Sequence, residues 1–174
     1  MQTSHPLTVV HVVAALEVGG LERVVLDLVT HADRTRVTPR VVCLERPGAL
    51  APRFLAAGIP VDCVPRTPGM PRRILRLARL LRDIGADVMH AHNVKAHLHG
   101  VLAARLAGVP VSVSTKHGRN FPTTSLGRAA NRLACGLCSD LVGVSNDCAA
   151  IWRDVESADA SKVSVIINGI DLAA

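Results

Sequence analysis

Apolar residues along this chain follow two rhythms. Short runs rich in Val, Ile, Cys and Ala fall at 8–15, 38–44, 60–64, 87–92, 109–116, 140–145 and 162–168. Several lack polar alternation, which marks strands buried on both faces in a parallel sheet covered by helices. Between them the spacing turns helical: Leu21, Val24, Val25 and Leu28, then Ile74, Leu77, Ala78 and Leu81, with further helices over 94–106 and 126–138. Gly58, Gly85 and Gly108 sit just past helical stretches, where a terminating glycine is expected. Pro60 and Pro110 then open strands, where a missing N–H is tolerated. The rhythm predicts an α/β fold: a doubly wound, mainly parallel sheet of about seven strands with helices on both faces.

Bulk properties narrow the classes. A length of 174 residues suits one domain, and 49% apolar content is too high for disorder. No window holds the roughly 18–20 uncharged apolar residues of a membrane span. The first apolar run lacks a basic leader and contains His11, so it reads as a strand and not as a signal peptide. Five cysteines scattered through apolar segments predict reduced thiols and a cytoplasmic setting. The net charge of +6, mostly from Arg, raises nucleic acid as a partner. With no Tyr, one Trp and two Phe, stacking platforms are scarce and no nucleic-acid motif is visible. Anionic small molecules or an anionic membrane surface fit the charge better.

In open α/β sheets, ligands bind beyond the carboxyl ends of the strands. After the first strand come Gly19 and Gly20 and a helix whose first turn carries Glu22. The pair makes either a tight turn or a place where backbone N–H groups meet a phosphate or hydroxyl at a helix N-terminus. Glu22 would repel a phosphate, which points to a hydroxyl-bearing ligand. The pattern is not G-x-G-x-x-G, although Glu45 at the end of the second strand could mimic the ribose-binding acid of a dehydrogenase. An NAD(P)-dependent oxidoreductase domain and a non-catalytic ligand-binding domain therefore stay as alternatives.

His90 and His92 share a face of the fourth strand, His90 as a core residue with one hydrogen-bond partner, His92 and Asn93 as cleft candidates. His97 and His99, two residues apart on the following helix, do not share a face, so no metal set forms. Lys116, His117, Gly118 and Arg119 crowd the end of the fifth strand, too densely for packing alone. Ser145 and Asn146 stand at a helix start, where capping explains one of them. Cys135 and Cys138 form a lone CxxC without a redox context and read as core thiols. Arg72, Arg73, Arg76, Arg79 and Arg82 stud one helix, with 72, 76 and 79 on one face opposite its Ile/Leu stripe. They face either water or an anionic bilayer.

Taken in order, "VGGLERVV", "DVMHAHN", "STKHG", "LVGVSN" and "VSVIINGID" resemble the N-terminal domain of a GT-B glycosyltransferase of the retaining family 4 type, over nearly the whole chain. The resemblance implies a Rossmann-like acceptor-side domain over 1–167, the start of an interdomain linker over 168–174, and a nucleotide-sugar-binding C-terminal domain outside this chain. It implies transfer from a UDP- or GDP-sugar to a saccharide or lipid-linked acceptor, with the chain inactive alone. It makes His117 the residue that meets the transferred sugar, and Gly19 and Gly20 the loop near the donor diphosphate. Glu22, His92, Asn93, Lys116, Gly118, Arg119 and Ser145 would then line the substrate cleft. No metal, cofactor or protein nucleophile is implied, the nucleotide-sugar being a co-substrate. The place of work would be the cytoplasm, peripherally on the membrane.

Overall fold

The β-branched runs form strands and the 3.6-residue patterns form the helices between them. The computed structural model describes residues 5–64 and 68–169. Its elements run β1 (Leu7–Ala15), α1 (Gly20–Thr30), β2 (Val37–Arg46), α2 (Ala51–Ala56), β3 (Val61–Cys63), α3 (Met70–Ile84), β4 (Val88–His92), α4 (Asn93–Ala107), β5 (Val111–Lys116), α5 (Ser125–Leu137), β6 (Asp140–Gly143), α6 (Asn146–Ala150) and β7 (Val163–Val165). A π-helical turn, Ile151–Val155, extends α6, and a 3-10 turn precedes β7. The strands make one sheet in the order β3-β2-β1-β4-β5-β6-β7, every pair parallel. Strand order reverses between β1 and β4, the point where such sheets open a crevice.

The two faces carry different helices. Alternation sends Val13, Val41 and Cys43 to one face, where they pack with Val25, Val29 and Phe54 of α1 and α2. Val10, Val12, Val42, Met89, Ala91 and Leu141 point the other way, against Ile74, Leu77 and Leu81 of α3, Val101 of α4, Ala134 of α5 and Trp152. The stripe of α3 is thus core, and Arg72, Arg76 and Arg79 face outward. Gly85 and Gly108 end α3 and α4 in the left-handed conformation, as their positions predicted. Cys135 and Cys138 are buried free thiols, and burial pushes the Cys135 thiol up to about 12.

The last strand is shorter than the apolar run 162–168 predicts. Only Val163–Val165 pair with β6, and Ile166 and Ile167 run on exposed. β7 is the sheet edge, and among the described residues only a backbone bond from Ile166 N–H to Gly143 O continues the pairing. Helices α2 and α6, of 6 and 5 residues, are too short to show a period in the sequence. The end of the expected linker, residues 170–174, lies outside the described residues.

Candidate functional site

One face of the sheet carries a row of histidines. In parallel register His11 of β1 stands beside His90 of β4, and His92 beside Thr115 of β5. His117 follows Thr115 just past the end of β5. His11 Nδ1 lies 3.1 Å from His92 Nε2, and His92 Nδ1 lies 2.9 Å from His117 Nε2. His90 Nε2 bonds Thr115 Oγ1 at 2.7 Å, but the residue, expected in the core, is half-buried along the open face of the sheet. Burial lowers the pKa of His11 and His117 to about 4. It also pushes His90 and His92 well below the usual imidazole range, helped by their histidine neighbours. All four rings are therefore neutral at pH 7. His117 Nδ1 is buried without a partner. His11, His90 and His92 each bring one ring nitrogen within 4.8 Å of the others. His11 and His92 share a hydrogen bond, and among the described residues no carboxylate joins the group, which is a hydrogen-bonded cluster.

Asn93 locks the junction. It opens α4 with φ of 66°, a left-handed conformation that Asn tolerates better than most side chains. Its Oδ1 accepts the backbone N–H of His117 at 3.1 Å, which joins the ends of β4 and β5. His92, expected to line the cleft, is instead almost fully buried beneath His117.

The glycine loop is not a tight turn. Gly19 is extended, with φ −161° and ψ 170°, and caps α1 without a side-chain hydrogen bond. Neither Gly19 nor Gly20 has positive φ. A Cβ on Gly20 would meet only open space, and one on Gly19 would collide only with the Glu22 carboxylate. Internal packing thus gives neither glycine a reason. The loop is held from below: Leu16 N–H donates to Pro47 O at 3.1 Å, and Leu50 N–H to Leu16 O at 2.8 Å. Gly48, which nothing in the sequence marked, makes that clasp possible. Its φ is +77°, and a Cβ there would strike the Leu16 backbone. With only β4 between them, the ends of β1 and β5 are about 10 Å apart.

Lys116 points the opposite way from His117. It is fully buried, with Nζ 2.7 Å from Glu156 Oε1, 2.9 Å from Asn120 O and 4.1 Å above the Trp152 ring. Asn131 Nδ2 donates to the other Glu156 oxygen at 2.5 Å, and the Cys135 thiol lies nearby. Lys116 therefore anchors the loop from inside and does not reach the rim. Gly118 is half-buried in that loop, and the exposed Arg119 pairs with Asp147. Ser145 caps α6, its Oγ accepting from Cys148 N–H. Glu45 pairs with Lys95, so the ribose-acid role considered for it finds the carboxylate engaged.

Beside the histidine row the sheet is uncovered. Val113, Thr115, Val142 and Val144 floor an apolar trough of about 770 Å³, walled by Val24 and Leu28 of α1 and by Ile166 and Ile167. His90 and His117 lie along it. No helix among the described residues is long and apolar enough to cross a membrane.

Residues 18–174 match Glycosyltransferase Family 4. The chain belongs to that family. Over 109 residues it is 34% identical to the Escherichia coli UDP-Gal:alpha-D-GlcNAc-diphosphoundecaprenol alpha-1,3-galactosyltransferase, covering 58% of this chain and 28% of that enzyme. A glycosyltransferase from Rickettsia africae has the same fold at 21% identity and a TM-score of 0.76, covering 95% of this chain and 44% of that one. Anabaena HepE, crystallised with UDP-glucose, superposes with a TM-score of 0.74 at 20% identity, covering 94% and 44%. The chain spans less than half the length of each of these proteins, and the fold of the structural neighbours is GT-B.

Proposed function

We propose that this chain is the N-terminal, acceptor-side half of a two-domain retaining hexosyltransferase. It would move a sugar from a UDP- or GDP-sugar to a saccharide or lipid-linked acceptor. The observation that carries the reading is the neutral, unpartnered His117 Nδ1 at the carboxyl ends of the strands, the side of the sheet from which the Gly19–Gly20 loop also leaves β1. A neutral imidazole suits a sugar hydroxyl, and a helix N-terminus that lacks a side-chain cap suits an oxygen-rich ligand. Two relatives support the donor class: one uses UDP-Gal and the other was crystallised with UDP-glucose.

Residues 1–167 form this half, and 168–174 begin the link to a nucleotide-binding half. Catalysis then comes from placement and electrostatics across the cleft, with no protein nucleophile, cofactor or metal. Gly19, Gly20, Glu22, Asn93, Gly118, Arg119 and Ser145 border the substrates, while His92 and Lys116 act from beneath. The exposed arginines of α3 hold the enzyme to the cytoplasmic face of an anionic membrane. In the full two-domain enzyme, His117→Ala cuts turnover at least a hundredfold, as expected for a group at the reacting centre. Turnover within a factor of two of wild type removes His117 from the mechanism. Sugar transfer by the 174 residues alone refutes the two-half reading.

A further inference from the structure

We infer that His92 and His11 are positioning residues that fix the tautomer of His117. The three rings form one directional chain with the proton of each on Nε2, so that His117 donates to His92 and His92 to His11, which leaves His117 Nδ1 a hydrogen-bond acceptor. The inference rests on the proposed role of His117 toward a substrate hydroxyl.

The geometry allows few arrangements. His117 Nε2 meets His92 Nδ1, and His92 Nε2 meets His11 Nδ1. Each neutral ring carries one proton, so each contact needs one N–H and one bare nitrogen. Only two arrangements satisfy both contacts. In one, protons sit on every Nε2 and point from His117 toward His11. In the other, they sit on every Nδ1 and point outward. The second would leave the Nδ1–H of His117 buried with no acceptor, because no group bonds that atom. Orphaned buried N–H groups are rarer than under-used acceptors. The first arrangement therefore holds: it puts the outer N–H on His11 Nε2, which, unlike His117 Nδ1, is not among the buried atoms left without a partner. His117 Nδ1 is then a bare nitrogen, able to accept a hydrogen bond from a hydroxyl that reaches it. His92 is the link that prevents the ring from turning its protonated nitrogen to the substrate. His90 stands outside the chain, tied to Thr115.

Nitrogen-15 correlation spectra of the imidazoles in this chain read tautomers directly. The expected result is an Nε2–H form for His11, His92 and His117. His92→Phe removes the acceptor, and His117 then shows both tautomers. His92→Asn, whose amide oxygen stands near the lost Nδ1, restores the single form. If the Phe variant does not fold, His11→Phe tests the next link, and His92 becomes the ring with mixed tautomers. An Nδ1–H form of His117 in the wild type, or an unchanged His117 in folded His92→Phe, overturns the inference. In the full two-domain enzyme, His92→Phe lowers kcat about tenfold, one hydrogen bond's worth, with KM nearly unchanged, and His92→Asn recovers it. An active His117→Ala enzyme alongside the expected spectra sinks the function and leaves the chain of rings standing. An inactive His117→Ala enzyme with unaltered His92→Phe spectra does the reverse.

Discussion

Lys116 and His117 are adjacent in sequence, yet their side chains stand on opposite faces of the sheet. Lys116 is sealed against Glu156 and Trp152, and His117 lies along the open trough. The loop that carries the candidate catalytic residue is thus fixed by an ion pair in the core. Removing one partner strands a buried charge. Lys116→Met is expected to cost about 3–5 kcal/mol, and Lys116→Met with Glu156→Gln to recover much of it. Urea unfolding of the single and double variants measures both. Equal stability of all three proteins would mean the pair is not buried.

The histidine row makes stability depend on pH in one direction. Free imidazole titrates near 6.5, whereas His11 and His117 are held near 4 and His97 near 3 by burial. Protons therefore bind the unfolded chain more readily. Stability is complete above pH 6.5 and is lost as pH falls from 6.5 toward 4, at up to about 1.4 kcal/mol per pH unit per group. The urea midpoint is expected to drop clearly between pH 7 and pH 5. A flat profile would show these rings to be solvated.

The glycines divide into two kinds. Gly48→Ala puts a Cβ into the Leu16 backbone at positive φ and is expected to destabilise by about 2–3 kcal/mol. Gly20→Ala points into open space on a helix, so it should leave the melting temperature unchanged or slightly higher. In the full enzyme, Gly20→Ala and the bulkier Gly19→Val should still raise the KM for substrate by crowding the cleft. Unchanged kinetics would reduce the loop to a connection.

Asn93 combines a conformation and a contact, and two variants separate them. Asn93→Gly keeps the left-handed backbone and loses the hydrogen bond to His117, at about 1 kcal/mol. Asn93→Ala loses both, with about 1–2 kcal/mol more for the strained backbone. Equal stabilities for the two variants would show the conformation to be unstrained.

The order of strands and helices was legible because buried parallel strands write themselves as runs of Val, Ile and Ala. That the strand-end groups share one edge was legible too, since a parallel sheet sends every carboxyl end the same way. Side-chain direction was harder. The resemblance singles out His117, but its residue type and spacing alone do not separate it from the polar neighbours Lys116 and Arg119. Alternation from Ser114 through Lys116 would have sent Lys116 to the α4 face, opposite His117. His11 was read as a sign that the first run was no leader, and its partner lies 81 residues away. That pairing comes from sheet register, which no local pattern records. Glu156 and Gly48 were missed for the same reason, since the buried lysine and the backbone that explain them belong to distant segments.

The bare strip of sheet between α1 and β7 governs how this chain behaves at high concentration. Ile166, Ile167 and Leu28 offer a water-shy seam, and a net charge of +6 holds copies apart. Salt shortens that repulsion to about 10 Å at 0.1 M. Dilute buffer of low ionic strength is therefore the medium in which the isolated protein stays dispersed.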